Sequence, residues 1–151
     1  MRITEQYRIQ HAQISEMIYA IEARLDVAEV TADPTLMRRL FTQLAGKLLF
    51  HLALEDGAFY PRLLVHPERE VRQLANHCVA EGGHLRAKFE DFMRRWIHSE
   101  LMRRDPETFV REAEAIFRAL QHRIELEDEG LYELVDRIES RNTAMLLGIA
   151  V

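Results

Sequence analysis

Apolar residues along this chain recur every three or four positions and never alternate, the period of helices buried along one stripe. Breakers cut the pattern into four long stretches. The first, about 4–27, puts Tyr7, His11, Ile14, Ile18 and Leu25 on one face. TADPT follows, where Asp33 is a cap and Pro34 the first residue of a second helix over 34–64. That helix lines up Leu40, Leu44, Leu48, His51, Glu55 and Phe59. Pro67 and Glu68 open a third stretch, 68–103, with Val71, Leu74, Leu85, Phe89, Phe92 and Trp96 inward and a kink or break expected at Gly82-Gly83. Asp105-Pro106-Glu107 repeats the cap-then-proline signal and starts the fourth helix, 106–139, through Phe109, Ala113, Ile116 and Leu120. An apolar tail, 143–151, is suited to dock on the other helices or on a second subunit. Amphipathic helices joined by short connections predict a single all-α domain over 1–151, an up-down-up-down four-helix bundle.

Composition narrows the class. Apolar residues make up 48% and charged ones 30% of the 151 residues, enough for a real core in a helix-rich domain. The net charge of −5 comes from interspersed acids and bases. No nucleic-acid footprint stands out, although RRWIHSELMRR at 94–104 is a local basic cluster. Cys78 is the sole cysteine, which excludes an intrachain disulfide and a cysteine-rich metal site and favours a reducing compartment. MRITEQYRIQH lacks a signal-peptide apolar run and no stretch has membrane-spanning length, so a cytoplasmic protein without a membrane partner is expected.

The candidate chemistry is a phrase written twice, HLALEDGAFY at 51–60 and HRIELEDEGLY at 122–132. His51 and Glu55 are one turn apart, and a carboxylate in a leucine stripe costs too much to bury unless it pairs with a cation or a metal. His122 and Glu127 are five residues apart, about 140° around a regular helix. The apolar stripe passes through Glu127 and nearly opposite His122. A π-bulge within His122–Glu127 would bring both onto one face; Glu125 is the fallback carboxylate. His11 on the first stripe is either a hydrogen-bonded core residue or a ligand. On the third helix His84, Glu81 and His77 fall on one line at the edge of the apolar stripe, with a solvated polar edge as the alternative. His66 and His98 read as surface residues. Imidazole and carboxylate donors together suit iron or manganese, and two carboxylates from separate helices suit a pair of ions. Zinc would leave donors unused.

His11, H51-LAL-E55, His84 and H122-RIEL-E127, in that order, resemble the hemerythrin-like family of HHE cation-binding domains. The resemblance runs from the first helix to about Asp136. It implies a hemerythrin-like bundle holding two non-haem iron ions, with manganese or zinc as substitutes. Glu55 and Glu127 would bridge the ions, His11 and His51 would bind one, and His84 and His122 the other. Tyr7 and Lys47 would hydrogen-bond the ligands from behind. Where oxygen-carrying hemerythrins place a further histidine on the third helix, this chain has Ala80, which Glu81, His77 or water would replace. That departure argues against simple reversible O₂ carriage. The expected partner is a small diatomic ligand or peroxide, O₂, NO or H₂O₂, bound or sensed rather than turned over, and a homodimer is compatible with the apolar tail. The alternatives are a helical interaction module with a structural metal or none, and a role in iron–sulfur cluster repair.

Overall fold

The computed structural model describes residues 2–98 and 100–148. Three aspartates begin helices by accepting a backbone N–H of the first turn, satisfying a donor that has no helical partner. Asp26 accepts from Glu29 at 2.8 Å, Asp33 from Leu36 at 2.9 Å and Asp105 from Thr108 at 3.2 Å. The elements are α1 (Glu5–Glu22), α2 (Val27–Ala32), α3 (Pro34–Leu54), α4 (Tyr60–Leu64), α5 (Arg69–Gly82), α6 (Leu85–Phe92), α7 (Leu101–Arg104), α8 (Pro106–Leu126) and α9 (Tyr132–Leu146). Single π-helical turns join α3 to α4 (Glu55–Phe59) and α8 to α9 (Glu127–Leu131), and another follows α6 (Met93–Ile97). The described residues are all-α, with no strand among them.

Four bars therefore form an up-down-up-down bundle: α1; α3 running on into α4; α5 with α6; and α8 running on into α9. α1 packs on α3 and α8, α4 on α5, and α6 on α8. Three boundaries differ from the sequence reading. α1 stops at Glu22, because the Asp26 cap starts a separate short helix that buries Val30. The third bar breaks at Gly83 and His84, where the glycine pair predicts it, but α7 is separate from this bar. The fourth bar runs on past Glu139 to Leu146, where Gly148 at φ +69° takes the left-handed conformation common just beyond a helix end. The end of the apolar tail, residues 149–151, lies outside the described residues, while Met145, Leu146 and Leu147 are exposed.

The core is not continuous. A large apolar cluster around Ile14, Phe41, Leu44, Phe89, Trp96, Phe109 and Phe117 fills one end. A smaller one around Phe59, Leu63, Val71, Leu131 and Val135 fills the other. The buried side chains of His11, His51, Glu55, Arg123 and Glu127 lie on the bars between these two sets.

Candidate metal centre

Three of the four bars reach the polar layer with the residue that their own helical register turns inward. On α1 the stripe is His11, Ile14, Ile18, Ile21; on α3 it is Leu44, Leu48, His51, continuing to Glu55; on α8 it is Ile116, Leu120, Arg123, continuing to Glu127. His11, His51, Glu55 and Glu127 each offer a donor atom, and the four donors lie within 4.8 Å of one another. His51 Nε2 is 3.0 Å from Glu55 Oε1 and His11 Nε2 is 3.1 Å from Glu127 Oε2. The two Nε2 atoms face each other at 3.0 Å.

The residues behind the imidazoles set which nitrogen faces in. His51 Nδ1 donates to Gln10 Oε1 at 2.6 Å, and His11 Nδ1 donates to Asp128 Oδ1 at 2.7 Å. With Nδ1 donating outward, each ring turns Nε2 to the cluster, the nitrogen that would bind a metal once that ring is neutral. Glu127 Oε2 is buried and accepts no hydrogen bond of good geometry. An orphaned carboxylate oxygen beside two inward-facing imidazole nitrogens fits a cation.

The electrostatics carry the same sense. Burial alone would lower His11, yet the carboxylates of Asp128, Glu127 and Glu55 around it raise it to about 11. Burial would raise Glu55, but His11, His51 and Arg123 hold it well below the usual carboxylate range. Burial and the neighbouring charge of Glu55 push Glu127 up.

The matching family model is that of the hemerythrin HHE cation binding domain, over residues 2–135. The chain belongs to this family. No curated protein and no solved structure matches it significantly. In this HHE domain the structure brings together four of the six expected ligands and leaves out His84 and His122. His122 is half exposed and faces Glu81 Oε2 at 3.5 Å across the surface. His84 sits in the break between α5 and α6, exposed, as are His77, Glu81 and Glu125.

The reason lies in where the helix widens. No π-bulge falls within His122–Glu127: α8 is regular to Leu126, and the π-turn begins at Glu127. Four residues before Glu127 stands Arg123, the place His51 holds relative to Glu55, and regular geometry turns that residue inward and His122 out. The first copy carries the same π-turn after its glutamate, closed by Tyr60 N–H to Glu55 C=O, as Tyr132 N–H closes the second onto Glu127 C=O.

Arg123 was missed from sequence, although the stripe running nearly opposite His122 pointed to it. So were the tyrosines that end both phrases. Tyr60 donates to Glu127 Oε1 at 2.6 Å and Tyr132 donates to Glu55 Oε1, so each copy straps the other's carboxylate. Tyr7 packs its ring against His51, Phe59 and Tyr132. Lys47 donates to Gln13 at the surface, away from the cluster.

Proposed function

We propose that this HHE domain is a non-haem metal protein, with iron as its first metal, that binds or senses a small ligand such as O₂, NO or peroxide. The observation that carries it is the buried convergence of His11 Nε2, His51 Nε2, Glu55 and Glu127, with both imidazoles oriented from behind. Two imidazoles and two carboxylates suit iron or manganese, and such a donor set leaves coordination positions open for a small molecule. A bound redox-active cation would supply an electron and an open position; zinc would supply only the position.

The surrounding residues do the rest. Asp128 and Gln10 fix the imidazoles, Tyr60 and Tyr132 fix the carboxylates, and the apolar clusters keep bulk water out. A cavity of about 440 Å³ at the end of the bundle reaches Tyr7 and Phe59, and the Tyr7 ring centroid is 6.1 Å from that of His51.

The test is anaerobic addition of Fe(II) to chelator-stripped protein, followed by desalting and metal analysis. Iron should be retained by the wild type and lost in His51→Ala and in Glu127→Ala, and the ferrous spectrum should change on exposure to NO, O₂ or peroxide. Retention by both variants would remove these residues from the site. An exposed apolar helix end at Met145 and Leu146 favours a second reading, an interaction module. Under it the folded wild type would retain no iron.

A further inference from the structure

Each carboxylate in the polar layer divides its two oxygens between two sides. Glu55 Oε1 and Glu127 Oε2 face the histidines. The opposite oxygens are both held by one side chain: Arg123 Nη2 donates to Glu55 Oε2 at 2.7 Å, and Arg123 Nε donates to Glu127 Oε1 at 2.8 Å. Carboxylates bridging two metal ions would give one oxygen to each ion. Here the far oxygens go to a guanidinium.

Its remaining contacts are equally committed. Arg123 Nη2 also donates to Asp56 Oδ1 at 2.9 Å, and Nη1 donates to the Gly82 carbonyl at 3.1 Å. Asp56 follows Glu55 as Asp128 follows Glu127. Asp128 holds His11 and Asp56 holds Arg123, so the arginine stands in the reciprocal place to a ligand set. Space for it comes from the third bar, where a Cβ on Gly82 would meet Arg123 Cδ at 3.2 Å. The histidines that would complete a second set, His84 and His122, are exposed.

We propose that the Arg123 guanidinium permanently takes the place of a second cation, so that this HHE domain binds one metal ion and not two. The proposal rests on the metal-binding reading above. The fixed charge of Arg123 balances the carboxylates without changing oxidation state. A single bound iron ion would then supply one electron per chain to an external one-electron acceptor such as ferricyanide, and a two-electron exchange would need two chains or a separate reductant.

Metal analysis after anaerobic Fe(II) loading should give one iron per chain. Titration with ferricyanide, an outer-sphere one-electron oxidant, should consume one equivalent per chain, and the product should show the paramagnetic resonance of an isolated high-spin ferric ion. Arg123→Lys, which keeps the charge, should stay at one ion. Arg123→Gln and Arg123→Ala free three carboxylates and should take up a second. Two irons in the wild type, or a single iron at wild-type affinity in both neutral variants, overturns the proposal while the metal site stands. No iron in the folded wild type sinks the metal reading and this one with it. Should the neutral variants fail to fold, the wild-type stoichiometry and electron count still decide.

Discussion

Taking the side chain off Arg123 strands Glu55, Glu127 and Asp56 without the cation they share. Breaking a buried ion pair from one side costs more than the pair contributes, because the remaining charge keeps its desolvation penalty. Arg123→Ala should therefore destabilise the metal-free protein by about 3–5 kcal/mol in urea unfolding, and excess divalent cation should restore much of that loss. A cost under about 1 kcal/mol would mean that water already reaches these groups. His11 gives a second residue-scale prediction. Its pKa, raised to about 11, puts a proton where a cation must bind. Metal binding at pH 7 should release about one proton per chain, since the ligand must be neutral imidazole. Affinity should rise with pH toward about 11, measured by calorimetry in buffers of different protonation enthalpy. The sign reverses for the metal-free fold. The raised pKa stabilises it fully below the ordinary value of 6.5, and that contribution is lost as pH climbs to about 11.

At the scale of elements, the two phrases are alike where a π-turn follows each glutamate and unlike where the histidine precedes it. A four-residue spacing keeps His51 on the stripe, and a five-residue spacing puts His122 outside it while Arg123 comes in. The glycines separate helix propensity from packing. Gly46 lies inside α3 with nothing near a would-be Cβ, so Gly46→Ala should stabilise by about 0.5–1 kcal/mol. At Gly83 the same Cβ would meet the Val79 carbonyl oxygen at 2.6 Å, backbone that cannot step aside. Gly83→Ala should destabilise by about 1–3 kcal/mol, as overpacking does. Thermal unfolding of the two variants compares them directly, and equal shifts would contradict the close approach. The break that Gly82-Gly83 marks in the sequence is thus also what lets α5 carry its carbonyl to Arg123.

For the molecule as a whole, a charged layer separates two apolar clusters, so fold stability and site occupancy are linked without being the same property. A cation bound only by the folded state should raise stability by about 2.7 kcal/mol at a free concentration of 100 times Kd. Phe41→Ala, within the large cluster, should cost about 3–5 kcal/mol while metal stoichiometry stays unchanged. A lost site in that variant would show that the clusters and the layer are one cooperative unit. Helical periodicity, the Asp-Pro starts at 33 and 105 and the inward places of His51 and Glu55 are written in the sequence by itself, because capping, period and burial cost act within one helix. The start of the second π-turn at Glu127 and not before it, the crossed straps of Tyr60 and Tyr132, and the solvent-facing line of His77, Glu81 and His84 were decided only by tertiary structure. Which of several polar residues faces a shared centre depends on the rotation of each helix against its neighbours, and packing on both apolar clusters sets that rotation.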